Sequence, residues 1–235
     1  MSIRPHVEGI YKAHIEELKA LPEMASILDG SASREVYDRF IANVIKTHLR
    51  SPQFLGFIFC IAPPKSLEHV KHNLMEEIGA DEHESHPELL KSLSDEAGLS
   101  AETLEALHTT SQDTIKAVMS DPMMFGTLKE FGFGLMVEVF SFEYMLSRIS
   151  TPIATALREH RGLSAAAVEW FTHHSEVDIE HAEEAFVTLD DYIAHYDMDL
   201  DDAQTIADMV SRENLFIKRY FGTLELAASR GLVEE

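Results

Sequence analysis

The chain has 235 residues, 45% of them apolar, with 41 acidic against 19 basic side chains and a formal net charge of −22. That length suits one well-formed core, and no Pro, Gly or Ser-rich linker divides it, so a single domain over 1–235 is expected. The charge argues against a nucleic acid or an anionic membrane surface as partner.

The opening residues, MSIRPHVEG, contain no apolar run of the signal-peptide kind, and the longest apolar stretch, 54–62, is too short to span a bilayer. A cytoplasmic protein is the expectation. The single cysteine, Cys60, excludes an internal disulfide; within FIFCIAP it reads as a small buried hydrophobe rather than a nucleophile.

Apolar residues return every three or four positions almost throughout, and alternating β-branched runs are absent, which predicts an all-α fold. In chain order the predicted helices span 6–29 with a kink at Pro22, 33–61, 65–79, 87–97, 100–119, 122–148, 152–160, 164–196 and 200–230. Asp121 before Pro122 and Thr151 before Pro152 mark two starts most sharply. In each, a side-chain acceptor precedes a proline whose missing N–H has no partner in a first turn anyway. The acidic run 197–202, DMDLDD, lacks the glycine and terminal glutamate of a calcium loop and reads as a helix entry favoured by the dipole.

The chemistry concentrates in HHSEVDIEHAEEAF, where His174, Asp178 and His181 recur at i, i+4 and i+7. At about 100° per residue these project from one helical stripe and can close on one ion. Thirteen histidines make a solvated stripe the plain alternative. It loses ground because Trp170, Phe171, Val177, Ala182, Ala185 and Phe186 make the segment apolar, and an unpaired Asp is costly to bury there.

Partner ligands are sought as carboxylates or histidines set in apolar helix faces. Glu138 lies in FGFGLMVEVFSFEYML among Leu135, Met136, Val139, Phe140 and Phe142. Glu143 is its rival and points about 140° away. Glu138 is preferred because Gly132 and Gly134 make room on its approach. In HVKHNLMEEIGADEHESHPELL, Glu77 hangs from a last helical turn before Gly79 and His86 opens the next helix. Glu76, His83, His72 and His69 compete with that pair.

Two Glu, one Asp and three His form an inventory for two metals, of the oxygen and nitrogen mixture that suits iron or manganese rather than structural zinc. The order NLMEEIG (73–79), HPELL (86–90), GFGLMVE ending at Glu138, and HSEVDIEH (174–181) resembles the heme-oxygenase-like di-iron oxidases of the TenA/PqqC/CADD-like superfamily. The resemblance covers about residues 70 to 185. It implies a heme-oxygenase-like bundle of about seven core helices, often dimeric, with Glu77, His86, Glu138, His174, Asp178 and His181 as the ligands. It also implies two iron ions, or an iron–manganese pair, with dioxygen as co-substrate and a small organic molecule as the compound oxidised. The thiaminase branch uses a cysteine later in the chain, and none follows Cys60.

Tyr144, His173, Glu176 and Tyr220 are candidates to support such a centre. Phe54, Phe57, Phe59, Met123, Met124 and Phe125 are candidates to line a chamber, and Arg50, Arg148 or Arg212 to anchor a substrate carboxylate. The competing readings are a metal-free protein of the same fold that binds or processes a small cofactor or metabolite, and a protein-interaction module. The second does not need ionisable residues at buried helical positions.

Overall fold

A computed structural model describes residues 2–80, 84–120 and 125–224. Within them the regular structure is helical: α1 (Arg4–Ala20), α2 (Pro22–Asp29), α3 (Arg34–His48), α4 (Ser51–Ile61), α5 (Leu67–Glu77), α6 (His86–Ala97), α7 (Ala101–Ser120), α8 (Leu128–Glu159), α9 (Glu169–His195), α10 (Leu200–Val210) and α11 (Leu215–Phe221). The expected kink at Pro22 is a break, since Pro22 starts α2 without an N–H to continue α1.

The two longest helices, α8 and α9, pack against each other as the central pair; α4 and α10 flank α8, and α5 and α6 close on α9. The core between them is dense in aromatics, with Phe133, Trp170, Phe171 and Phe186 on the central pair and Tyr11, Phe40 and Tyr220 from outside it. No helix among the described residues is long and apolar enough to cross a membrane.

Two local devices fix the segments that matter for chemistry. Gly79, at φ +69°, lets α5 end in a turn where the Ala80 N–H donates to the Met75 carbonyl at 2.9 Å. This is the paired C-terminal closure that a left-handed glycine permits, and it holds Glu76 and Glu77 in a formed last turn. Downstream, Ser85 and Glu88 exchange side-chain and backbone bonds as a capping box, so His86 is held as the first residue of α6.

The structure corrects four boundaries. The predicted 33–61 helix is interrupted at Leu49 and Arg50, where Pro52 restarts it as α4. The predicted stop before Pro152 is absent, because α8 runs through that proline. Ile149, Ser150, Ile153, Ala154, Ala156 and Leu157 continue the buried stripe across it, and that burial outweighs a local cost of about 3 kcal/mol. Helix α8 begins instead at a Thr127–Glu130 capping box; the expected start at Asp121 and Pro122 lies outside the described residues. The predicted 200–230 helix ends at Val210, and Asn214 caps a separate α11 by accepting from the Ile217 N–H. Asp199 caps α10 as the acidic run predicts. Cys60, expected to be buried, is exposed on the outer face of α4.

Candidate metal centre

Two groups of metal-competent side chains meet along the inner face of α9. Glu77 from α5, His86 from α6 and His174 from α9 form one group, and Glu143 from α8 with Asp178 and His181 from α9 forms the other. Within each, the ligand atoms lie within 4.8 Å of one another. His174, Asp178 and His181 share one helix face as expected but do not close on one position: His174 joins the first group, and Asp178 and His181 the second.

Glu138, the preferred glutamate on α8, lies outside both groups, and its rival Glu143 takes that place. The glycines argued for Glu138 serve other neighbours. A Cβ on Gly132 would meet Ile61 and Tyr192, and one on Gly134 would meet Val210 and Phe125, so their space is used for packing against α4, α9 and α10. Of the rivals to Glu77 and His86, Glu76 and His72 gather on the outer side of His181 and His69 pairs with Glu184 at 2.7 Å. His83 lies outside the described residues.

Hydrogen bonds orient several of these groups. His174 donates from Nδ1 to the Trp170 carbonyl at 2.6 Å, which leaves its Nε2 lone pair for the group with Glu77 and His86. Ser51, placed by the break between α3 and α4, donates to Glu77 Oε1. Asn73 donates to Glu143 Oε1 at 3.1 Å. The His174 contact is local, one turn back along α9, whereas the Ser51 and Asn73 contacts join segments that meet only in the packed bundle and do not follow from local sequence.

The ionisation pattern is that of a cation site. Burial, reinforced by His86, pushes the His174 imidazole well down and so keeps it neutral, the state that offers a lone pair. Burial and the nearby Glu143 push Asp178 well up. Burial also works against the charge on Glu143 and on His181, yet their mutual contact prevails. Glu143 is held at about 2, and His181, facing Asp178, Glu143 and Glu76, is raised to about 12. A proton on His181 thus carries the positive charge that this acidic cluster demands, and a metal ion would displace it.

Both oxygens of Asp178 and both ring nitrogens of His86 are buried without an aligned hydrogen bond, their nearest polar neighbours being other members of the two groups, His181 for Asp178 and the Glu77 carboxylate for His86 Nδ1. Buried polar atoms are normally satisfied, so this concentration of orphaned lone pairs fits a metal. The donors, imidazole and carboxylate without thiolate, fit iron or manganese.

Beside the groups opens a cavity of about 120 Å³, lined by Glu77, Glu143 and His174 together with the apolar Phe54, Leu135, Val139 and Phe142. Phe54 and Arg50 thus occupy the places expected of a chamber residue and a basic anchor, and the Arg50 Nε is buried without a hydrogen-bond partner. Lys46 and Arg219 also reach this cavity and carry no signal in the local sequence. Glu138 is part of its wall; burial pushes its carboxyl up against the pull of Arg219. Arg148 instead lies over the Tyr144 ring at 3.4 Å, and Arg212 is exposed away from the cavity. Met123 and Met124 lie outside the described residues.

Of the proposed supporting groups, Tyr220 is hydrogen-bonded to His48, whose ring lies tilted against Trp170 at 4.7 Å between centroids. The His173 ring lies 5.1 Å from His86, while Tyr144 packs between Tyr11 and Phe186 and Glu176 is exposed.

Fold and site together define a heme-oxygenase-like helical protein with a buried histidine and carboxylate centre. A solved structure from Shewanella denitrificans OS217, described as a domain of unknown function with a heme oxygenase-like fold, superposes on the chain with a TM-score of 0.53. The match covers 92% of this chain and 94% of that one at 18% identity, a likeness that establishes the fold. The profile of the family described as "Iron-containing redox enzyme" matches residues 38–212, and the chain belongs to that family. No curated protein sequence matches it.

Proposed function

We propose that the chain is a non-heme dinuclear oxidase or oxygenase that binds two iron ions, or an iron–manganese pair, and uses dioxygen to oxidise a small organic molecule. The observation that carries this reading is the pair of adjacent buried triads on α9, whose orphaned oxygens and nitrogens are left for cations. When bound, ferrous iron would supply the electrons that reduce dioxygen.

Glu77, His86 and His174 would hold one ion, and Glu143, Asp178 and His181 the other. The Trp170 carbonyl fixes the His174 tautomer, and Asn73 and Ser51 orient the two glutamates, so the ligands are positioned before any ion arrives. The apolar cavity wall excludes water from a bound substrate, and Arg50 would orient an anionic group on it. Glu138 holds a proton at its carboxyl more readily than an exposed glutamate and faces the same space.

Anaerobic titration of metal-free protein with ferrous iron tests the reading. Two ions per chain, followed by oxygen consumption on exposure to air, are expected. A stoichiometry of one, or no uptake, would overturn it.

A further inference from the structure

His181 presents two ring nitrogens to two different surroundings. Nδ1 faces the inner group, 3.5 Å from an oxygen of Glu143 and 3.5 Å from one of Asp178. Nε2 faces outward, 3.0 Å from Oε2 of Glu76, and the other oxygen of that carboxylate lies 3.5 Å from Nε2 of His72. His72, Glu76 and His181 bring their ligand atoms within 4.8 Å of one another.

A second observation concerns the alignment of this ion pair. His181 is only 3% exposed, yet its Nε2 has no hydrogen-bond partner, and neither does Oε2 of Glu76, despite the short distance between them. A simple N–H and carboxylate pair would align. Nε2 of His181 and Oε2 of Glu76, close but poorly aligned as donor and acceptor, are poised beside His72 for a cation that takes the place of the His181 proton.

The cluster also leads outward. Side-chain exposure rises from 2% at His181 to 20% at Glu76 and 45% at His72. One turn further along α9, Glu184 has a buried Oε2 without a partner and shares a small void with His181, Asn73 and His69.

We propose that His72, Glu76 and Nε2 of His181 form a peripheral site for a divalent transition-metal ion, and that iron enters the inner centre through it. The inference rests on the dinuclear reading for its destination. An incoming ion exchanges water for His72 at the surface, then for the Glu76 carboxylate and the outer nitrogen of His181. The same imidazole borders the inner group, so the transfer crosses one ring with no change in oxidation state, and His181 releases its ring protons to solvent when it bridges the outer ion and an inner one as imidazolate.

Cobalt(II), added anaerobically to the metal-free full chain, is the probe, read by stopped-flow absorbance and equilibrium dialysis. The parent is expected to bind a third, weaker equivalent beyond the inner two. His72→Ala, a substitution at an exposed position, is expected to bind two and to fill them about tenfold more slowly, since the incoming ion loses its first protein ligand, and loss of one supporting group costs a metal site that order or more. Its final inner-site spectrum should equal the parent's, which a misfolded variant would not show. Glu76→Gln should likewise lose the third equivalent. A parent that binds two ions and no third, or a His72→Ala protein that fills at the parental rate, overturns this proposal and leaves the dinuclear reading intact. A parent that binds none overturns both.

Discussion

Asp178 is 1% exposed and neither of its oxygens has an aligned hydrogen bond. A carboxylate so placed costs several kcal/mol unless a cation faces it. Asp178→Ala is therefore expected to lower iron affinity at least about tenfold while leaving metal-free protein at least as stable as the parent, by equilibrium dialysis and urea unfolding. Unchanged iron content would remove Asp178 from the ligand set. Glu143→Ala should lose about one of two ions, and Glu138→Gln should retain both; the reverse result would exchange the two assignments. His48 offers a test of a different kind. Burial, with His86 nearby, lowers it from the ordinary 6.5 to about 3, so the folded state takes up its proton less readily than the unfolded chain. The stability this contributes is complete above about pH 6.5 and is lost as pH falls towards 3. Between pH 6.5 and 5.0, metal-free parent should lose about 1 to 2 kcal/mol more than His48→Gln by urea unfolding. Parallel losses would show that His48 does not titrate in this way.

At the scale of the element, helix α8 shows how far a local rule reaches. Thr151–Pro152 has every mark of a helix start, yet both residues are exposed inside α8 while Ile149, Ser150, Ile153 and Ala154 around them are buried. Pro152→Ala restores an N–H facing the Arg148 carbonyl and touches no core contact, so it should stabilise the protein by about 1 to 3 kcal/mol in urea unfolding. A loss of stability would mean that packing depends on the bend a proline imposes. The opposite error, reading 33–61 as one helix, hid the break that places Ser51 on Glu77. Periodicity sees the apolar stripe, which continues through the break, and it does not see the two residues that interrupt the backbone. By contrast, the end of α5 near Gly79 and the start of α6 at His86 were legible, since a glycine stop and a His-Pro restart act on their own neighbours.

For the whole molecule, metal and fold are linked. An ion that binds only the folded chain stabilises it by about 2.7 kcal/mol at a concentration 100 times its Kd. Chelation is expected to lower the thermal midpoint of iron-loaded protein, and Asp178→Ala protein should show a smaller drop, by calorimetry with and without chelator. Equal drops in both would argue against the inner groups as the binding place.

The all-helical class, most helix positions and the shared stripe of His174, Asp178 and His181 were determined by sequence alone, because periodicity and capping act within a few residues. The choice of Glu143 over Glu138 was decided only by tertiary structure. Both sit in apolar surroundings on one helix, and which of them meets α9 depends on how α8 is rotated against its partner. That rotation is set by packing Gly132 on Ile61 and Tyr192, and Gly134 on Val210, contacts with residues far along the chain. The outer grouping of His72 and Glu76 around His181, and the cavity reached by Lys46, Arg50 and Arg219, arose in the same way. Their side chains carry no shared period, and only the closure of the bundle brings them together.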